Sequence, residues 1–391
     1  MKKILLIESQ EGLPPRRQLF LNTLNRNGYE IKVIFWDRSG RNPEREEKDG
    51  ISYEWIKVKA NYVDVKASMK LPRIYFMFFK KIIKERFDVI VCGHSALLPL
   101  AVIAGKIKKT KIVFDVVEFY IQDFFIRRPV FIRWVGHIVR FFENLLVRLV
   151  DGVIVIPSYR EVYSGRFRRY NSNIEIIKNV PVLGGGAPAA GEYNVELDRK
   201  YEDNKVIIYA GSISDEWGIT KLLESMLIIK ETFPEVKLVI LGKPERNFGQ
   251  VIRDYIRGNN LGYNVDIVGW VPYSMLSHYF RLALIGAAPT QQVGKFKVFT
   301  KGTSRKLFEY MGAGLPVLAP DFGEIALAVK EENCGVLVDS SDPRQIAVAI
   351  VSLLKNPDKA RAMGERGRKA VERKYNWQIE SLKLLRFYNE L

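Results

Sequence analysis

Apolar residues along this chain fall into short blocks separated by polar, glycine-containing turns. Lys3–Glu8, Glu30–Trp36, Ile51–Val58, Val89–Cys92, Lys111–Asp115, Val153–Ile156 and Ile174–Ile177 read as strands. Between most of them lie longer stretches with apolar residues at helical spacing, the first ending near Gly28. Strand, loop, helix, strand in repeated order predicts parallel sheets covered by helices. Asp37 to Gly50 is polar and charged, and reads as a surface loop. The pattern stops at Gly184-Gly185-Gly186-Ala187-Pro188-Ala189-Ala190-Gly191, a linker composition. It resumes with Val206–Ala210, Lys237–Leu241, Asp266–Val268, Leu282–Ala287, Val317–Ala319 and Gly335–Val338. The expected fold class is α/β, with two doubly wound Rossmann-like domains. Residues 1–182 form the first, 183–204 the linker, 205–374 the second, and 375–391 a C-terminal helix.

Two helical stretches stand out for carrying aromatic residues among cations. Residues 66–87 place Ile74, Tyr75, Phe78, Phe79, Ile82 and Ile83 on a stripe flanked by Lys80, Lys81 and Lys84. Residues 119–150 place Phe131, Trp134, Ile138, Phe141, Leu145 and Leu149 on a second, with Arg127, Arg128, Arg133, Arg140 and Arg148 around it. Each stripe fits either an ordinary helix packed on the sheet or a helix lying at a membrane interface.

Candidate chemistry gathers in residues 300–321. Thr303 or Ser304 is placed to cap a helix, Gly312 and Gly314 to end it, and Pro316 forbids its continuation. Leu307, Phe308 and Met311 share the apolar face, and Lys306 and Glu309 share the other. A helix start attracts anions, so a phosphate near Lys306 and a sugar diol on Glu309 suit this spacing. The plain alternative is a surface ion pair between the two. Gly211-Ser212-Ile213 turns a strand into a helix from about Glu216, and a glycine there lets a phosphate approach the backbone. No full G-x-G-x-x-G follows, so a dinucleotide site is not indicated. The Gln-, Gly- and Lys-rich loop 289–303 is long, precedes the helix start that suits a phosphate, and reads as a mobile lid over it. At the end of another strand, Asp115 and Glu118 are candidates to orient a hydroxyl or act as a base, with helix capping as the alternative. His94 follows a strand in the same way and is a third candidate catalytic residue, with a structural role as its alternative. Arg16 and Arg17 fall in the loop after the first strand and read as solvated.

The charge changes the picture in one respect. The formal net charge is +17, and residues 1–180 carry 33 Lys and Arg against 19 Asp and Glu. The first half therefore faces something anionic: nucleic acid or an acidic membrane surface. No helix-turn-helix, zinc finger or RNP motif supports nucleic acid. Two cysteines, Cys92 and Cys334, imply no disulfide framework and a reducing compartment, and three histidines without a Cys/His group give no structural zinc site. MKKILLIESQ is too short in apolar residues for a signal peptide, and the apolar run from Val89 to Gly105 is interrupted by Gly93, His94, Ser95 and Pro99. No transmembrane span is expected. The expected location is cytoplasmic, or peripheral on the inner face of the cytoplasmic membrane.

The wording K-L-F-E-Y-M-x-A-G-x-P-V at 306–317 resembles the donor-site signature of the GT4-type retaining glycosyltransferases of GT-B fold. That resemblance implies two domains facing a cleft, a nucleotide-diphosphate sugar as donor and no further cofactor. It places Glu309 on the nucleotide ribose, Lys306 at a basic position of the K-L-F-E-Y subgroup, and Gly312 at the end of the helix under the diphosphate. Asp115-Val116-Val117-Glu118 resembles the family's D-x-x-E turn on the acceptor side. Lys178-Asn179-Val180-Pro181 resembles the N-x-P segment that ends the first domain, and 362–377 the family's C-terminal run, whose last helix crosses back to the first domain. The likeness runs throughout residues 200–391 and only in scattered turns before. Two departures matter. Ser212 and Trp217 stand where many members carry the Arg and Lys of G-R-x-x-x-x-K-G, and Lys301 stands where the signature has its first Glu, a cation at the donor site. The resemblance thus implies transfer of a sugar to an acceptor hydroxyl with retention. A lipid-linked or glycan acceptor in polysaccharide, lipopolysaccharide or glycolipid assembly suits the basic first domain. Two alternatives stay open: a non-catalytic sugar-nucleotide or glycan-binding partner of a membrane glycosyltransferase, and a nucleotide-sugar epimerase.

Overall fold

The computed structural model describes residues 2–60, 69–116, 130–156, 165–184, 194–245, 247–293 and 305–391, with backbone alone at 130–133. Glu118, Lys301, the capping positions Thr303 and Ser304, and most of the expected lid lie outside the described residues. The chain divides into two units: residues 1–177 with 380–391, and residues 178–379.

Eight strands build the sheet of the first unit: β1 (Lys3–Glu8), β2 (Glu30–Asp37), β3 (Arg45–Lys48), β4 (Ile51–Lys57), β5 (Val89–Cys92), β6 (Lys111–Val116), β7 (Gly152–Val155) and β8 (Ile174–Ile176). Their order is β3-β4-β2-β1-β5-β6-β7-β8, with β3 antiparallel and every other pair parallel. Ile4, Leu5, Leu6 and Ile7 are all fully buried, as a strand covered on both faces requires. The longer helices are α1 (Pro15–Arg26), α2 (Leu71–Lys84), α3 (Leu98–Lys108) and α4 (Val130–Val147), with a short turn of helix at Gly165–Phe167. The expected loop 37–50 contains β3, whose four residues are all charged and exposed and so carry no apolar alternation.

The two aromatic stripes have different fates. On α2, Ile74, Phe78 and Ile82 are buried, so that stripe is core. On α4, Trp134, Ile138, Phe141 and Leu145 are exposed, Trp134 by 67%. Among the described residues no helix is long and apolar enough to cross a membrane.

The second unit holds β9 (Lys205–Ala210), β10 (Val236–Leu241), β11 (Val265–Gly269), β12 (Ala283–Ala287), β13 (Val317–Pro320) and β14 (Gly335–Val338). The order is β11-β10-β9-β12-β13-β14, all parallel. Alternate residues of β9 feed two cores. Val206, Ile208 and Ala210 enter one, and Ile207 and Tyr209 the other. The helices are α5 (Val195–Tyr201), α6 (Ile219–Thr232), α7 (Phe248–Gly258), α8 (Leu276–Leu282), α9 (Arg305–Gly312), α10 (Gly323–Glu332), α11 (Pro343–Lys355), α12 (Pro357–Arg373) and α13 (Trp377–Glu390). Part of the expected linker is therefore structured: α5 is capped by the Asn194 side chain and buries Leu197 and Tyr201. The end of α13 belongs to the first unit, where Tyr29 Oη donates to Asn389 Oδ1 at 2.7 Å.

Numbered within its own unit, the second sheet runs 3-2-1-4-5-6. Consecutive crossovers go one way from β9 and then the other way from β12, so the switch point lies between those strands. Open α/β sheets bind ligands beyond the carboxyl ends of the strands at such a point. In the first unit the same reversal falls between β1 and β5.

Candidate functional site

Beyond the ends of β9 and β12 the second unit brings Gly211 and the N-terminal turn of α9 together. Lys306, on the first turn of α9, is buried and donates to Tyr209 Oη at 2.8 Å. Its amine lies 4.2 Å from the Tyr209 ring centroid and 4.1 Å from that of Trp217. Burial pulls its pKa down to about 7, against the opposing carboxylate of Glu309. Tyr209 Oη in turn donates to the Ser212 carbonyl at 2.6 Å, which holds the turn after β9 against the lysine. Gly211 has φ +151°, and an added Cβ would lie 2.9 Å from Lys306 Nζ. The positive φ is what calls for glycine here, and the missing Cβ leaves room for the lysine amine. The Gly211 N–H donates to Leu241 O at 2.9 Å, so this amide is already used within the sheet.

Glu309 lies one turn further along α9. It is paired with Arg305 Nε at 2.8 Å, four residues earlier, and not with Lys306. The surface ion pair between Lys306 and Glu309 is thus corrected on both sides. The lysine is inside, on tyrosine and tryptophan, and the carboxylate has a different cation. Burial raises the Glu309 pKa, opposed by Arg305, by Tyr273 and by Lys306. Glu309 and Gly312 line a pocket of about 410 Å³, together with Tyr273, Leu276, Phe280 and Ala313. That is the size of a small-ligand site. Lys306 and Gly211 are not on its wall, so α9 presents a carboxylate to an open pocket and an amine to a buried niche.

The first unit gathers a second group at its own switch point. Asp115, at the end of β6, is buried. Its Oδ1 accepts from Arg16 Nη1 at 2.9 Å and its Oδ2 pairs with Arg17 Nε at 3.2 Å. Arg17 also pairs with Glu8 and donates to the Gly93 carbonyl at 3.3 Å. A side chain at Gly93 would fall on the Arg17 guanidinium, so this position also needs glycine. Arg16 and Arg17 are therefore not solvated: they open α1 and are among its buried residues. Burial alone would raise the Asp115 pKa, but the two guanidiniums hold it below the usual carboxylate value. A carboxylate tied to two cations is a poor proton acceptor, which favours the orienting reading of Asp115 over the base. His94 Nδ1 accepts the Ala96 N–H at 3.1 Å, which puts the ring proton on Nε2. Burial, with Arg38 and Arg17 nearby, lowers its pKa to about 3, so near neutral pH His94 is a hydrogen-bond donor and not a base.

Sequence reading missed Tyr209, Arg305 and Tyr273. The spacing of Arg305 to Glu309 was visible. Tyr209 sits inside an apolar strand and gave no polar signal.

Residues 195–370 match the family model of glycosyl transferases group 1, and residues 12–179 match that of the glycosyl transferase 4-like domain. The chain belongs to the group 1 glycosyltransferases. Among curated relatives of this group 1 chain, a D-inositol 3-phosphate glycosyltransferase of Segniliparus rotundus is 27% identical over 62% of this chain and 55% of its own length. A phosphatidyl-myo-inositol mannosyltransferase of Mycobacterium leprae is 26% identical over 55% and 51%. The capsular polysaccharide biosynthesis glycosyltransferase CapM of Staphylococcus aureus is 28% identical over 56% and 57%. The chain spans about half the length of these relatives. Among solved structures, a sucrose-phosphate synthase of Thermosynechococcus elongatus has a TM-score of 0.80 at 19% identity, covering 100% of this chain and 99% of that one. HepE of Anabaena in complex with UDP-glucose has a TM-score of 0.73 at 13% identity, covering 100% of both chains. These likenesses give the fold: two parallel-sheet α/β domains of the GT-B kind.

Proposed function

We propose that this group 1 glycosyltransferase moves a sugar from a nucleotide-diphosphate donor to an acceptor hydroxyl with retention, in polysaccharide, lipopolysaccharide or glycolipid assembly. The observation that carries the reading is the division of α9 at the switch point, with Lys306 in the niche beside Gly211 and Glu309 on the pocket wall. In this reading Glu309 takes the ribose hydroxyls and Lys306 takes the charge of the leaving diphosphate. A buried ammonium stabilises a developing anion more strongly than an exposed one. His94 donates from Nε2 to a sugar hydroxyl, and Asp115 holds Arg16 and Arg17 in place around it. The acceptor belongs to the first unit, as its excess of cations suits a lipid-linked or glycan acceptor carrying negative charge. Support comes from HepE, whose structures hold UDP, UDP with glucose, or UDP-glucose, and from relatives named for glycolipid and capsule synthesis.

The departures at Ser212, Trp217 and Lys301 are what favours a non-catalytic binding partner. Against the first two we weigh Lys306, whose amine lies 4.1 Å from the Trp217 ring centroid, where the signature's lysine would stand. The charge is supplied from α9 in place of the turn after β9. Turnover is therefore expected to survive chelation of divalent metals. The reading is tested by incubating the full chain with a panel of UDP- and GDP-sugars and a membrane lipid extract, in EDTA. Release of one nucleoside diphosphate with an α-configured product by NMR supports it. Donor binding with no turnover under any acceptor condition favours the non-catalytic partner. Epimer formed from donor alone favours the epimerase.

A further inference from the structure

Helices α2, α3 and α4 lie side by side, with α3 packed between the other two. Their outward residues are of two kinds. Phe76, Ile103, Ile107, Trp134, Phe141 and Phe142 are all more than half exposed. Arg73, Lys80, Lys84, Lys106 and Arg140 are exposed among them. No Asp or Glu occurs in α2 or α3. The single acid of α4, Glu143, is buried, accepts from Ser95 Oγ at 2.6 Å and is ion-paired with Arg166. One side of the first unit therefore shows water a set of large apolar groups and cations with no carboxylate from any of the three helices. Each α4 aromatic left in water forgoes the transfer free energy of a buried side chain. An ordinary domain helix would turn this face to its own sheet, as α2 does.

We infer that the α2–α3–α4 face docks on the surface of a bilayer containing anionic lipid. Trp134, Phe141 and Phe142 would enter the headgroup boundary, and Lys106, Arg140 and the cations of α2 would meet the lipid phosphates. Charge decides between this occupant and a second copy of the chain. Among the described residues, a two-fold contact through this face would set cations against cations with no exposed carboxylate of the three helices to meet them. A bilayer with anionic headgroups supplies both the apolar layer and the negative charge. The inference stands on the first unit alone and does not depend on the donor site in the second.

The test is vesicle flotation with the full chain, using phosphatidylcholine alone and phosphatidylcholine with about one third phosphatidylglycerol, at low and high salt. Binding to the anionic vesicles and not to the neutral ones, weakened by salt, is expected. Lys106→Glu with Arg140→Glu is expected to weaken it roughly tenfold or more, at about a kcal/mol per cation near the surface. Trp134→Ser with Phe141→Ser is expected to weaken it and to remove a blue shift of tryptophan emission on binding. These side chains are exposed, so unchanged circular dichroism melting is expected and serves as the folding control. Equal partition to both vesicle types, no partition, or insensitivity to both double variants overturns the inference. A dimer in sedimentation that Trp134→Ser with Phe141→Ser dissociates also overturns it, in favour of the second copy.

Discussion

At Lys306 the fold and the proposed chemistry pull in opposite directions. A protonated amine suits a diphosphate, yet this amine is buried and its pKa has fallen to about 7 from 10.5. Between those values the unfolded chain holds more protons than the folded one, so this group makes stability rise with pH from about 7 to 10.5. Lys306→Met removes the buried amine and is expected to stabilise the fold at pH 7 by roughly 1 kcal/mol or more, while markedly weakening nucleotide binding. The stability gap from wild type should narrow as the pH is raised towards 10, as urea denaturation at several pH values would show. A variant less stable than wild type at pH 7 contradicts this. Asp115 gives a second contrast at the same scale. Asp115→Asn leaves Arg16 buried without its carboxylate and Arg17 with Glu8 alone, and is expected to cost about 3–5 kcal/mol in urea denaturation. A catalytic base in that position would instead lose activity at unchanged stability. The Asp115 role could not be read from spacing, because its two partners lie nearly a hundred residues earlier in a stretch that reads as solvated loop. The exchange of partners around Glu309 was closer to view: four-residue and three-residue spacings both share a helix face, and only packing tells which cation turns inward.

Among elements, α9 is the one whose placement matters most, and Tyr310 fixes it. Its hydroxyl accepts the Ala210 N–H at 2.7 Å at the end of β9, and its ring occupies the space over Gly286 in β12. Tyr310→Phe keeps the ring and strands a buried amide. A loss of about 1–3 kcal/mol is expected, with weaker nucleotide binding, by denaturation and calorimetry on the same preparation. Unchanged stability would mean that another group satisfies Ala210. The parallel strands were legible because burial on both faces leaves continuous apolar runs. β3 was not, because Arg45, Glu46, Glu47 and Lys48 all face water at a sheet edge. α5 was hidden in a stretch dominated by its glycine neighbours. For α2 and α4 the sequence established amphipathic helices and left their direction open. α2 turns its stripe inward, and α4 turns its stripe out.

For the whole molecule, the chain path makes one unit continuous and the other not. Residues 380–391 complete the first unit, although they follow the whole of the second. Leu384, Phe387 and Tyr388 are buried there. Deleting residues 380–391 is expected to destabilise the first unit by several kcal/mol, at about 1.5–3 kcal/mol for each large apolar side chain. Hydrogen exchange should show β1 and β7 losing protection while β9 and β10 keep theirs. Equal loss in both sheets would contradict the division. The family resemblance made this return of the last helix an expectation. Burial and charge alone did not reveal it, because nothing in the amphipathic pattern of α13 says which core it joins.

In the proposed function, α9 and the turn after β9 hold a nucleotide-sugar donor through Glu309 and Lys306. Isothermal titration of UDP, GDP and their sugar conjugates into wild type, Glu309→Ala and Lys306→Met tests it most directly. One nucleotide is expected to bind wild type, to weaken markedly in both variants, and in wild type to lose affinity by up to tenfold per pH unit above about 7 as the Lys306 amine deprotonates. Binding that is unchanged in both variants, or no binding of any nucleoside diphosphate to the folded wild type, would contradict it.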